Sequence, residues 1–249
     1  MEAKKGRREM KKFELTTEFI TNAFGKKLFR IKALVEFGDV KAGELGGYVE
    51  KEENVSQDGN AWVSGDARVS GNARVSGDAK VYDNAWVFGN ARVSGDALVF
   101  GRALVFGDAK VFGRAWVFGN ARVSGDALIS GDARVSGDAR VYDNARVYGD
   151  ARVYGNAWVS GDARVSGNAR VSGDADYALV QGFGTEFRCT TFYRGKNKKI
   201  MVNCGCFHGD LEGFRKQVKE TRNGKIAKEY LMIADLMEYH FTSEDSSNE

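Results

Sequence analysis

From Val63 to Val171 an aliphatic residue recurs at every sixth position, always valine except for Ile129, and an alanine follows each one four residues later, from Ala67 to Ala175. Nineteen such units follow one another without insertion or deletion, most of them variants of the phrase V-S-G-D-A-R. Around each valine, as in Arg68-Val69-Ser70, polarity alternates out-in-out, the signature of a short strand with one buried residue. Gly71-Asn72 then supplies a corner, because glycine accepts positive φ and Asn or Asp tolerates it while bonding nearby backbone. Alanine is small enough to sit inside the bend. One unit is therefore a strand and a turn of ~120°, and three units close a triangular coil of about eighteen residues. A fixed short period of this kind predicts a mainly β solenoid, a parallel β-helix whose turns bury their apolar side against one another. Nineteen units give about six coils, a rod on the order of 30 Å long at ~4.8 Å per turn.

The flanking segments break the period and read as covers for the two ends. Phe13–Thr21 and Lys27–Glu36 alternate like a hairpin around Asn22-Ala23-Phe24-Gly25, and Gly38–Gly47 leads into the first coil. After the repeat, Glu186–Tyr193 and Lys199–Asn203 read as strands around the turn Arg194-Gly195-Lys196-Asn197. Asp210 is placed to cap a helix running to Arg222. Asn223-Gly224 breaks it, and Ile226–Phe241 repeats apolar residues at helical spacing. The organisation is then a disordered basic tail (1–12), an N-terminal β cap (13–62), the solenoid (63–176), a C-terminal α+β module (177–241) and a disordered acidic tail (242–249).

Residues about eighteen apart stack, so the outward positions sort onto three faces. On the first, Leu98, Phe100, Trp116 and Phe118 are neighbours; on the second, Trp86, Phe88, Leu104 and Phe106. These form an apolar belt between about residues 86 and 118, and Arg102 and Arg114 replace the corner Asp or Asn within it. At ~100 Å² or more of exposed surface per aromatic ring, the belt exceeds what a soluble monomer usually leaves open. Three covers compete: association of two or three rods, the tail helices folded back, or a partner protein. Beyond the belt the outward rows are Arg beside Ser or Tyr. Arg134, Arg140, Arg146 and Arg152 with Tyr142, Tyr148 and Tyr154 read either as a self-compensated solvated surface or as a groove for an anion or nucleotide between rods.

Composition narrows the classes further. Net charge is +3, spread as +1 on each of head, repeat and tail, which disfavours a nucleic-acid binder. The basic cluster Lys4, Lys5, Arg7, Arg8, Lys11 and Lys12 is the local exception and reads as a solvated tail. No apolar run spans a bilayer and no secretory leader follows the basic start, so a soluble, cytoplasmic protein is expected. Three cysteines fit a reducing compartment. Cys189, Cys204, Cys206 and His208 make a loose zinc constellation, with buried thiols in a small core as the simpler reading; no metal and no cofactor is expected. The repeat holds no threonine, which removes an ice-binding ladder, and no phosphate loop, paired carboxylates or Ser/His/Asp set stands out.

The pattern aliphatic-x-x-x-small-x, as in Val93-Ser94-Gly95-Asp96-Ala97-Leu98, resembles the bacterial hexapeptide-repeat proteins. The resemblance implies a left-handed coil, against the usual right-handed crossover, and a trimer or dimer. The head segment Phe37–Glu50 with Val55–Trp62, and the tail with Met201–Phe207 and Ala227–Leu236, resemble uncharacterised solenoid proteins of bacteria and their phages. Hexapeptide acyltransferases use a histidine base, whereas the only histidines here, His208 and His240, lie in the tail. The expectation is a non-enzymatic scaffold that self-associates through the belt and presents its C-terminal module as an interaction surface. The alternative is a phage or mobile-element factor that binds a nucleotide or a host defence protein.

Overall fold

The structure, a computed structural model, describes residues 11–173, 176–195 and 198–242, the Arg188 side chain excepted. Ala175, the turn residues Lys196 and Asn197, the basic residues Lys4, Lys5, Arg7 and Arg8 and the acidic end 243–249 lie outside the described residues. Three strands precede the repeat: β1 (Phe13–Thr21), β2 (Lys27–Ala33) and β3 (Leu45–Val49). Each repeat unit then contributes one two-residue strand, from β4 (Trp62–Val63) to β22 (Arg170–Val171), formed by the residue before the aliphatic position and that position itself. Each of β4 to β19 lies parallel to the strand eighteen residues on, as in Arg68↔Trp86 and Val69↔Val87, which gives three sheets around a shared interior. Valine therefore stacks on valine and alanine on alanine, and Val63 to Val171 and Ala67 to Ala169 are all buried.

Hydrogen bonding makes the stack directional. In Arg74 to Asp78 the N–H groups before the valine, after it and at the corner donate to Ala91, Val93 and Gly95 carbonyls of the following turn, at 2.9, 3.0 and 2.9 Å. The corner side chains repeat that sense: Asn72 Nδ2 donates to Asn90 Oδ1 at 3.2 Å, and Asn90 Nδ2 to Asp108 Oδ1 at 3.0 Å. The first turn thus leaves glycine and alanine carbonyls without donors, and the last turn leaves N–H groups without acceptors. A buried peptide group without a partner costs about 1–3 kcal/mol, so each end is closed by side chains.

At the N-terminal end β1 and β2 form the expected hairpin, β2 pairs antiparallel with β3, and β3 joins the second face in parallel (Tyr48↔Arg68, Val49↔Val69). Val55 bridges to Val75 on the third face. The head so completes an extra turn: the solenoid has about seven turns where the nineteen repeats alone give about six. Asn54, fully buried, donates Nδ2 to Gly71 and Ala73 carbonyls at 3.1 and 2.8 Å, standing in for a missing rung on the third face. Lys12 does the same on the first face, its Nζ donating to Gly59 and Ala61 carbonyls at 3.2 and 2.9 Å. Lys12 is therefore a buried structural residue, whereas the sequence placed it in a solvated tail; the open carbonyls draw the cation inward.

At the other end a four-stranded antiparallel sheet, β23 (Tyr177–Phe183), β24 (Arg188–Arg194), β25 (Ile200–Cys204) and β26 (Phe207–Asp210), is followed by helices α1 (Leu211–Thr221) and α2 (Gly224–Thr242). Asp210 caps α1, its Oδ1 accepting from the Gly213 N–H at 2.9 Å. Alternation along β24 divides its side chains between two cores. Tyr193 joins the solenoid interior and Thr191 Oγ1 accepts from the Arg164 N–H at 3.0 Å. Phe192, between them, packs with Phe214, Tyr230 and Met237 of the helices. The helices therefore cover the outer face of the sheet whose inner face closes the rod.

Candidate interaction surface

The apolar belt is built by the register of the stack. Parallel pairing sets Leu98 beside Trp116 on the first face and Trp86 beside Leu104 on the second. The residues after each valine then align as ring ladders: Tyr82, Phe100 and Phe118 stack at centroid distances of 4.8 and 4.9 Å, with planes within 3°. Phe88 and Phe106 do the same at 4.9 Å. Across a rung, Trp116 meets Phe100 and Phe118 edge-on at 6.3 and 6.5 Å, and Trp86 meets Phe88 at 4.8 Å. The two faces adjoin at the corner column that carries Arg102, so the belt wraps one edge of the prism.

Stacking changes how much of the belt is open. All eight belt residues are half-buried, since each ring covers its neighbour at strand spacing, and less apolar surface is exposed than a row of independent outward rings implies. Arg134, one turn on, lays its guanidinium 4.5 Å over the Trp116 ring and closes the first face of the belt toward the C-terminus. At the opposite end the hairpin tip brings Phe24, 73 % exposed, to 6.4 Å from Trp86. Phe24 extends the belt and was not legible as part of it, because its position depends on where the hairpin lands. The tail helices do not supply a cover: the buried stripes of α1 and α2 belong to the tail's own core.

The arginine and tyrosine rows do not form one groove. Arg134 and Arg152 are in-register neighbours on the first face, Arg140 lies on the second and Arg146 on the third. Tyr142 meets Trp158 edge-on at 6.3 Å, and Arg140 lies 4.8 Å over the Trp158 ring. With Tyr177 and Leu179 these two aromatics line a shallow hollow of ≈ 290 Å³. Tyr148 is half-buried on the third face and Tyr154 exposed on the first. Two larger hollows, ≈ 620 and ≈ 530 Å³, flank the third face, one walled by Glu52, Glu53, Arg74 and Arg92, the other by Lys110, Asp126, Arg146, Asp162 and Arg164.

The cysteine and histidine positions separate on folding. Residues 204–207 reverse the chain as a hairpin turn with Gly205 at φ 59°, so Cys206 is exposed in the turn instead of alternating with Cys204 along a strand. Thr190 Oγ1 donates to Cys204 Sγ at 3.1 Å, and burial pushes the Cys189 thiol up. His208 Nδ1 lies 2.6 Å from Asn203 Oδ1, over Ser166 and Tyr193 at the rod's end. No three His, Cys, Asp or Glu side chains converge on one point among the described residues. Among those residues, too, no helix is long and apolar enough to cross a membrane.

A family model described as the YdcK beta solenoid repeat matches the chain at residues 61–77, 67–83, 127–143, 133–147, 139–151, 145–161 and 163–175. The chain is similar to that family over these repeats, which lie on either side of the belt. No curated protein matches it.

Proposed function

We propose that this β-solenoid is a non-enzymatic cytoplasmic scaffold whose rods associate side by side through the apolar belt, leaving the C-terminal module as an interaction surface. The observation that carries the reading is the pair of ring ladders on adjoining faces, extended by Phe24. Contiguous apolar surface of this kind on a soluble protein marks a contact site. The phrase V-S-G-D-A-R further supports kinship with hexapeptide-repeat proteins and a left-handed coil. The nucleotide reading draws on four arginines that are distributed over three faces, which favours the scaffold.

The test is mass by light scattering for wild type and for Phe106→Glu with Phe118→Glu, circular dichroism controlling for folding. The expected result is a multiple of 27.3 kDa for wild type and the single-chain mass for the variant. A wild-type protein of single-chain mass, or a folded variant with wild-type mass, refutes the reading.

A further inference from the structure

The hollow of ≈ 530 Å³ on the third face lies where the rod meets the tail. Its floor is one outward column of the rod, in which parallel register stacks Lys110, Leu128, Arg146 and Arg164 in that order. Its rim comes from two hairpin turns of the tail, with Phe187 from one and Gly205 from the other. The volume falls within the range of small-molecule sites. The belt occupies the first and second faces, so the hollow is open whether or not rods associate there.

Two features of the hollow have no role in the fold. The first is charge. Arg146 and Arg164 are both exposed and sit one strand spacing, ~4.8 Å, apart. Like charges side by side destabilise a sheet. Elsewhere on the rod such arginines gain a ring, Arg134 over Trp116 and Arg140 over Trp158. Arg146 and Arg164 make no ion pair and meet no ring face among the described residues. The acids of the hollow do not fill that role. Asp162 Oδ1 accepts from Asn144 Nδ2 at 3.1 Å, and Lys110 with the two arginines outweighs Asp126 and Asp162 by three charges to two. The Arg164 backbone is pinned at its N–H by Thr191 and at its carbonyl by Asn203, so the guanidinium pair stands on a fixed base.

The second feature is Phe187. Its backbone is left-handed, at φ 48°, a conformation that bulky side chains seldom adopt. Glycine or asparagine would serve such a turn with less strain. The ring is 66 % exposed and belongs to neither core. Strain held around an open side chain is characteristic of binding sites.

We propose that this hollow binds a small aromatic phosphate, its oxyanion held between Arg146 and Arg164 and its ring against Phe187 and Leu128. Two guanidinium forks match the free oxygens of a phosphate monoester, whereas a single fork satisfies a carboxylate. Phenylalanine and leucine supply the apolar wall that a flat ring needs.

Titration of para-fluorophenyl phosphate into the full chain, followed by fluorine NMR, tests this, with inorganic phosphate and benzoate as competitors. Saturable binding is expected, with both competitors weaker by at least roughly ten-fold. Arg146→Gln and Arg164→Gln should each weaken binding by roughly ten-fold, the worth of a charge-assisted hydrogen bond. Arg92→Gln, on the same face but outside the hollow, should leave it unchanged. Phe187→Gly should bring the aryl phosphate down to the affinity of inorganic phosphate, at an equal or higher thermal midpoint because the turn is relieved. Absence of saturable binding overturns the proposal. So does an Arg92→Gln loss equal to that of Arg164→Gln, which means diffuse attraction by the basic column. Benzoate binding as tightly as the aryl phosphate overturns the phosphate assignment, and a Phe187→Gly variant of wild-type affinity overturns the ring contact.

Discussion

Replacing the corner glycine Gly119 tests whether the turns are set by backbone conformation or by space. Gly119 has φ +70°, and a Cβ added there would lie 3.0 Å from the Gly137 nitrogen and 3.2 Å from its oxygen. Left-handed backbone costs an L-residue about 1–2 kcal/mol, and the contact is with backbone that cannot step aside. Gly119→Ala is thus expected to lose on the order of 2 kcal/mol. The repeat itself contains the remedy. In the same column Asp83 occupies φ 59°, and its Oδ2 accepts from the Gly101 N–H of the next turn at 3.1 Å; Asp143 does the same for Gly161. Gly119→Asp would regain such a bond, worth roughly 0.5–1.5 kcal/mol, with Arg102 in the neighbouring corner to favour the carboxylate. The larger residue should therefore be the better tolerated, by about 1 kcal/mol. Urea denaturation read at equal m-values gives the difference, and thermal midpoints should differ by roughly 2–4 °C. An alanine variant as stable as the aspartate variant, or more so, would refute the argument.

Two end caps yield further tests. Burial lowers the Lys12 ammonium from 10.5 to about 8, so between those values the unfolded chain binds the proton that the fold releases, and stability rises with pH across that window. Lys12→Met should abolish this rise, and the wild-type advantage over the variant should grow by on the order of 1–2 kcal/mol from pH 7.5 to 9.5 in parallel denaturant titrations; an unchanged difference means the ammonium is not desolvated. Asn203→Ala removes donors to the Arg164 carbonyl and Ser166 Oγ at 2.7 and 3.0 Å. It should cost about 1–3 kcal/mol, and amide exchange should quicken first around residues 164–172; uniform quickening along the rod would show that Asn203 is not a local cap.

The repeat was legible because its period, its buried valines and its corner residues all depend on neighbours within eighteen residues, and translation repeats the same environment. Residues eighteen apart stack for the same reason, Phe100 on Phe118 and Phe88 on Phe106. What escaped the sequence lies where translation stops. Tyr177–Phe183 opens the C-terminal module with the continuous apolar run Tyr177-Ala178-Leu179-Val180, which shows no in-out alternation, so β23 was not legible as a strand. β26 carries Gly209 within four residues and has no alternation to show. The seventh turn depends on Tyr48 and Val49, separated from the regular phrase by the irregular stretch 50–62. Phe24 joins the belt only through the hairpin's landing point.

The chemistry of the two ends constrains how such rods can associate. Because N–H groups donate toward the following turn, the first turn presents carbonyls and is met by donors, the Asn54 amide and the Lys12 ammonium. The last presents N–H groups and is met by acceptors: Thr191 Oγ1 takes the Arg164 N–H, and the Asp176 carboxylate takes the Ser172 and Gly173 N–H groups at 2.7 and 3.2 Å. Uncapped, the two ends would be complementary, carbonyls of one rod against N–H groups of the next, a ready route to end-to-end growth. Each is instead occupied by side chains of its own chain and sealed by apolar residues, Phe13 at one end and Tyr193 at the other, both fully buried. Stacking rods end to end would first have to remove these caps. The apolar surface that needs no such removal lies along the side of the rod, in the ring ladders of the belt, and that is where the proposed association would act.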